Sequence, residues 1–436
     1  AFVSTNATWY SALPASITGS VDGCAFAASI TSTNRIDAQI SSVGQEGSLA
    51  HSAAADLLLR GMMTYRDGDQ APRARRFFNT GAVGLEETAQ ACGTSQWARI
   101  AADPLADEYL RVSQNTAGAV WAQACTGGVW FAASNLTVGT SVPNVGQRAF
   151  DVAYEQLSGR GLVVYSRLAA QPQYRMWSGS AWSAPAAIAG LGCPNGTVRW
   201  VRLASEPASN RVLLVVRWVS AGANYSQAAI WSGAAWGNVS AVLENGQTVD
   251  LISNDTMDGD FAKGRAVVAY LQGNNAAGRR QPKIRRFDSG GWSGAITLPT
   301  LGAYAQWMRV TFDSTGTLIY VAFVDNGSPA VLRGLYGTGW PPTWDAAYFH
   351  ANNLETGAAR AFDAAWSSQT NTLMVVYAGQ NATNHSYIMR QGTSAATTGT
   401  LPATTNGQWC VLDADPFTGD FVYVSLDKAL DVNMHR

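Results

Sequence analysis

Lysine is almost missing from this chain: only Lys263, Lys283 and Lys428 occur among its 436 residues. Charged residues of all kinds make up 14%, against roughly 25% in ordinary soluble domains. The formal net charge is −1, which removes the electrostatic basis for gripping nucleic acid or an anionic membrane surface. Histidine is equally scarce. His51, His350, His385 and His435 stand in none of the HExxH, HxH or Ser/His/Asp spacings that metal or nucleophilic chemistry uses. Phosphate-binding glycine loops and dinucleotide fingerprints are absent as well, so no cofactor is expected. Cys24, Cys92, Cys125, Cys193 and Cys410 include no CxxC pair, which argues against both a zinc site and a disulfide framework. Nor is there a run of about 20 apolar residues, the length a membrane-spanning helix needs.

What the chain has in plenty is repetition. About every fifty residues, in the range that marks solenoids and propellers, a similar opening returns. The openings are Ser48-Leu-Ala-His51, Gln96-Trp-Ala-Arg99, Arg148-Ala-Phe-Asp151, Arg199-Trp-Val-Arg202, Thr248-Val-Asp250, Gln306-Trp-Met-Arg309, Arg360-Ala-Phe-Asp363 and Gln408-Trp-Cys-Val411. Each is followed by a turn-rich stretch and then an apolar run such as Leu162-Val-Val-Tyr165 or Leu318-Ile-Tyr-Val-Ala322. Short β-branched and aromatic runs between turn signals read as strands buried on both faces. A third strand then enters a tight glycine turn and a fourth leaves it on an aromatic, as in Trp177-Ser-Gly-Ser-Ala-Trp182 and Trp231-Ser-Gly-Ala-Ala-Trp236. Four strands per unit, repeated radially, predict an all-β fold, an eight-bladed β-propeller of four-stranded antiparallel blades.

That glycine turn resembles the Asp box of sialidase-like secreted propellers, Ser-x-Asp-x-Gly-x-Thr-Trp, which lies between the third and fourth strands of a blade. Gly127/Trp130, Gly179/Trp182, Gly233/Trp236 and Gly337/Trp340 carry the match, while Cys125, Trp177, Trp231 and Leu335 stand where the aspartate would be. The motif is degenerate, and the resemblance implies the fold and little chemistry.

Three segments are predicted. Residues 48–436 form the propeller. Residues 1–18 supply a strand that completes the last blade, because the eighth unit ends after Leu430-Asp-Val-Asn-Met434 and Thr8-Trp9-Tyr-Ser-Ala-Leu-Pro14 reads like the fourth strand at Ala181-Trp182-Ser-Ala-Pro185. Closure within one chain and closure between chains, giving a polymer, both remain open. Residues 19–47 are expected to form an extra loop or hairpin.

Aligning the openings gives one position around the ring: His51, Arg99, Asp151, Arg202, Asp250, Arg309, Asp363, Val411. Charges alternate from Arg99 to Asp363, and Trp-x-Arg units alternate with Phe-Asp units, so the repeating unit is a pair of blades. A neutralised ring of inter-blade ion pairs is the expected role. Asp255, Asp258 and Asp260 have the carboxylate density of a calcium loop but lack its closing glutamate; they are the only metal candidates. Most of the sixteen tryptophans sit at repeat-equivalent positions and read as core. Tyr225, Trp344, Tyr348 and Phe349 fall off register and are the candidates for surface contacts.

The start at Ala1, the shortage of lysine and nine Asn-x-Ser/Thr sites suggest an exported protein, extracellular or at the cell surface. The expected function is a non-catalytic recognition or structural module, self-assembling into a filament or layer. The alternatives are a glycan-binding lectin or adhesin and, behind it, a degenerate sialidase-like glycosidase. The partners implied are further copies of the chain or a surface glycan or protein.

Overall fold

A computed structural model describes residues 15–435, with side chains from residue 61 onward. It leaves out 22–23, 31–37, 47–48, 58–59, 67–71, 79–82, 89–91, 138–146, 168–170, 193–195, 222, 249–255, 272–279, 328–329, 346–348, 355–359, 380–384, 402–406, 416–418 and 428–431. Every regular element among the described residues is a β-strand.

The architecture is a series of antiparallel meanders. Seven sheets open on the strands Ser95–Ala102, Phe150–Tyr154, Thr197–Ser205, Met257–Ala262, Ala305–Phe312, Phe362–Ser367 and Gly407–Ala414. Within each, strands pair with their neighbours in sequence, and only the last sheet has three strands rather than four or five. An eighth sheet, of three strands, spans Arg60–Arg66, Pro72–Phe78 and Val83–Thr88. Its Arg60-Gly-Met-Met-Thr-Tyr65 repeats Arg160-Gly-Leu-Val-Val-Tyr165, the entry to the second strand of a later sheet.

Second strands are buried from end to end, as in Gly161–Tyr165 and in Val212 to Trp218. They carry no polar alternation because a sheet packs on each face. One core cluster joins Leu162 and Val164 of one sheet to Val198, Val201 and Leu214 of the next. First strands also meet directly: the Val201 amide donates to the Arg148 carbonyl at 3.2 Å, and the Cys410 amide to that of Arg360 at 2.9 Å.

The glycine turns have the geometry their sequence asks for. Gly179, Gly233 and Gly291 adopt φ of 89°, 95° and 97°, open to glycine and strained for other residues. The aromatics flanking each turn then stack, with ring centres 5.2 Å apart for Trp177/Trp182, 5.5 Å for Trp231/Trp236 and 5.2 Å for Phe287/Trp292. In the sheet opening at Ala305 the turn is longer. Trp344, not Trp340, pairs across from Gly337, so Trp344 holds the regular fourth-strand position.

Three expectations need correction. Thr248-Val-Asp250 does not open a unit. Glu244–Thr248 instead adds an outer strand to the third strand of the preceding sheet, Ala223–Trp231, and the next sheet opens later, at Met257; Asp250 lies outside the described residues. Leu49–Leu57, expected as a first inner strand, pairs with Ala38–Glu46. Only Gly47-Ser48 separates the paired residues Glu46 and Leu49, and such a two-residue Gly-x loop favours local hairpin pairing. Residues 15–18, assigned to the closing strand, belong to Ala15–Val21, which starts a separate four-stranded sheet with Cys24–Ile30, Ala38–Glu46 and Leu49–Leu57. Most of the segment expected to be a loop or hairpin is thus regular sheet. Residues 8–14, expected beside 430–434, lie outside the described residues.

Candidate functional site

Four tryptophans, one from every second first strand, meet at the centre. Trp97 touches Trp200 at 5.6 Å, Trp200 touches Trp307 at 6.4 Å, Trp307 touches Trp409 at 5.3 Å, and Trp409 returns to Trp97 at 5.8 Å. All four contacts are edge-to-face, the arrangement ring quadrupoles prefer. Trp200 and Trp307 are buried, while Trp97 and Trp409 are half-buried. The indoles therefore form a continuous plug.

Two residues further along these strands lies a tier of ion pairs. Arg99 Nε reaches Asp151 Oδ1 at 3.1 Å, Arg202 Nη2 reaches Asp258 Oδ1 at 2.7 Å, and Arg309 Nε reaches Asp363 Oδ1 at 3.0 Å. Each arginine thus pairs forward onto the aspartate of the following sheet. Each aspartate also accepts the backbone amide one residue past the next arginine position: Leu203 for Asp151 at 3.0 Å, Val310 for Asp258 at 2.8 Å and Leu412 for Asp363 at 3.0 Å. Arg148 and Arg360 add a second guanidinium to Asp151 and Asp363, at 2.8 and 2.9 Å. Asp258, read from sequence as a calcium candidate, holds the position assigned to Asp250. The aligned fourth position is Val411, and His51, aligned with it in sequence, lies in the separate sheet that includes Leu49–Leu57, so among the described residues the series of Arg–Asp pairs ends at Arg309 and Asp363.

Exposure separates these arginines. The Arg202 side chain is 7% exposed, whereas Arg99 and Arg309 keep 35% and 25%. Among the described residues, the contact between Arg99 and Asp151 runs through Nε. Asp413 is exposed, yet desolvation raises its pKa against the pull of Arg309 and Arg99. Asp260 is half-buried, and desolvation lifts its pKa to about 6 despite the Phe312 and Phe261 amides that its carboxylate accepts. Arg309 thus acts on both carboxylates and Arg99 on Asp413, which gathers four charged side chains near the tier of ion pairs.

These carboxylates set opposite pH trends. Burial alone would raise the pKa of Asp151, but Arg148, Arg99 and Arg202 with the Leu203 amide bring it down to about 2. Its stabilisation is therefore present above the ordinary value near 4 and is lost as pH falls through about 2. Asp260, and Asp103 in a turn of the sheet opening at Ser95, are raised to about 6. Their contribution is present below the ordinary value and is lost as pH rises through about 6. Thermal midpoints are expected to peak in mild acid and decline towards neutrality, with Asp260→Asn flattening the decline. A midpoint that climbs steadily from pH 4 to 7 would contradict this.

These sheets are blades of a β-propeller. The BP39L lectin of Burkholderia pseudomallei is similar to the chain with a TM-score of 0.53 at 12% identity, over 78% of this chain and 95% of that one. The fucose-recognising six-bladed β-propeller lectin of Aleuria aurantia gives 0.38 at 9% identity, over 81% and 98%. The polysaccharide lyase Uly1 gives 0.48 at 9%, over 78% and 88%. At such identities the likeness is one of fold. No protein-family model matches the chain, and no curated protein matches its sequence.

The other sequence candidates scatter across the propeller. Asp255, Tyr348 and the side chains of Asp250 and Phe349 lie outside the described residues. Asp258 is fully occupied by arginines and an amide, and Asp260 by two amides, so neither is arranged as a calcium ligand. Among the described residues, no group of three or more His, Cys, Asp or Glu side chains comes together to hold a metal. Tyr225 and Trp344 are half-buried against the cores of their own blades and offer no open aromatic face. The signal missed in the sequence was Met257-Asp258, which aligns with Phe150-Asp151 and Phe362-Asp363 once the fifty-residue spacing is relaxed.

Proposed function

We propose that this protein is an exported, non-catalytic carbohydrate-binding propeller of eight blades, with a central chamber among Arg99, Arg309, Asp260 and Asp413 as a saccharide site. The observation that carries the reading is the set of groups gathered near the plug. Half-buried Trp97 and Trp409 belong to the same inner strands as the part-exposed Arg99 and the exposed Asp413, and Arg309 acts on both Asp260 and Asp413. Sugar rings offer apolar C–H faces to aromatics and pairs of vicinal hydroxyls to planar guanidinium and carboxylate groups. The fold likeness to a lectin agrees with this reading. Asp260 supports a binding rather than a catalytic role, since backbone amides occupy both of its oxygens.

Eight blades are supported by the two-blade repeat. The four tryptophans mark four pairs, and the sheet of residues 60–88, whose strand Arg60–Arg66 lies against Ser95–Ala102, is read as the eighth blade. A second reading, self-association by strand exchange, draws on the last blade, whose third strand Val432–His435 is its outermost among the described residues.

Glycan-array screening followed by calorimetry tests the first reading. Asp413→Asn and Arg99→Gln are each expected to weaken the selected neutral sugar by about tenfold, the size of one lost charged hydrogen bond, with the fold intact by circular dichroism. A wild-type protein that binds no glycan, or variants that bind like wild type, would sink it. Averaged particle images should show eight lobes; fibres would favour the second reading.

A further inference from the structure

Trp340 lies at the rim, on the hairpin between Ala330–Thr338 and Thr343–Trp344, and reaches back to the preceding blade. Its Nε1 donates to Asp288 Oδ2 at 3.0 Å, while Asp288 Oδ1 accepts the Gly290 amide at 2.8 Å. The preceding blade also sends two guanidiniums onto the indole: Arg265 at 5.3 Å and Arg286 at 5.8 Å from the ring centre. Neither forms an ion pair among the described residues. Arg265 Nη1 donates to the Gly316 carbonyl at 3.1 Å, and the buried Nε of Arg286 has no hydrogen-bond partner. Exposed Lys263 stands beside Gly316, its Cβ 3.3 Å from the place a Cβ there would take. Arg286 and Arg265 both act on the charge of the Asp288 carboxylate. The Gly290 amide and the Trp340 N–H hold Asp288 below the usual carboxylate range, so it stays ionised and committed to the turn.

Related grooves show what is particular here. Trp130 Nε1 donates to Glu87 Oε2 at 2.6 Å, and Arg76 Nε pairs with the same carboxylate at 2.6 Å. Arg111 also lies over this indole, 5.1 Å from the ring centre, and donates to the neutral Gln123 Oε1 at 2.5 Å. Trp292 Nε1 donates to the Asn238 carbonyl at 2.5 Å and has no guanidinium over it among the described contacts. Trp340 differs from these two in carrying two guanidiniums on one indole, against the single charge of Asp288.

We propose that the groove between these two blades binds an anionic saccharide, its sulfate or carboxylate seated between Arg265 and Arg286 and its ring against the edge of Trp340. A guanidinium already stacked on an aromatic is held in place and retains its outer donors for a planar or tetrahedral oxyanion. This site is separate from the chamber, and only its sugar component rests on the carbohydrate reading.

Calorimetry with oligosaccharides matched in length, one sulfated, one uronate-containing and one neutral, at two salt concentrations tests the proposal. Wild type should prefer an anionic member, with affinity falling as salt rises. The Arg265→Gln/Arg286→Gln double variant should lose about tenfold or more in that affinity while keeping its thermal midpoint. Arg286→Lys, which retains charge without the fork, should recover part of the loss. Unchanged anionic binding in the double variant, or equal wild-type binding of neutral and anionic sugars, would overturn the proposal. So would inorganic sulfate binding as tightly as the sulfated sugar. Asp413→Asn affects the chamber alone, so loss of neutral binding there, with anionic binding intact, separates the two sites.

Discussion

Asp258→Ala should cost about 3–5 kcal/mol of stability, the size expected when one partner of a buried charge cluster is removed. The carboxylate is 1% exposed and ties three blades together: Arg202 from the blade before, and Arg309 with the Val310 amide from the blade after. Its removal orphans Arg202, which is itself nearly buried. Burial opposes the charge on Asp258, but the two arginines and the amide still pull its pKa below the usual value, so the cluster favours the ionised form on balance. Denaturant unfolding of Asp258→Ala beside Asp250→Ala is the decisive comparison. The first should lose several kcal/mol, and a loss confined to Asp250→Ala would reject the register found here. Asp258→Asn, isosteric but uncharged, should be damaging as well, because an amide cannot neutralise two guanidiniums.

Trp307→Ala should be comparably severe, at about 3–5 kcal/mol, the usual range for emptying a buried tryptophan site. Trp307 is 3% exposed and touches both neighbouring members of the indole plug, at 6.4 and 5.3 Å. Truncation opens a cavity where four blades converge, which the surrounding strands cannot collapse to fill. Near-ultraviolet circular dichroism should lose intensity disproportionate to one residue, since the remaining indoles are no longer held edge to face. Trp292, half-buried on an outer hairpin, is the control and should cost less. Equal losses at the two positions would show that the plug is not a special point of stability.

Much of this was legible in the sequence for a physical reason. Strand runs buried on both faces and glycine turns followed by aromatics are local signals, and the Trp-x-Arg/Phe-Asp alternation repeats them often enough to be read. Registers set by insertion were not legible. The outer strand Glu244–Thr248 lengthened one unit and made Asp250 look like the member that Asp258 is. The longer hairpin that includes Trp340 likewise displaced Trp344 from its apparent place. The charged cluster was half visible: Arg99 and Arg309 were singled out, but Asp413 looks like an ordinary polar strand residue until the fold brings it within electrostatic reach of both. The rim cluster left no mark in sequence at all, because Arg265, Arg286 and Trp340 come together only through the packing of two blades.

The indole plug also governs how the chain must come together in time. Trp97 and Trp409 touch at 5.8 Å although about 300 residues separate them, and contacts of such long range form late. A ribosome adding about 5–20 residues per second needs some 15–60 s to make the intervening chain. Through that interval the blade opening at Ser95 has no partner for one side of its tryptophan. Until Trp409 is made, the nascent chain therefore exposes an indole face on the blade opening at Ser95 that its own later sequence must cover.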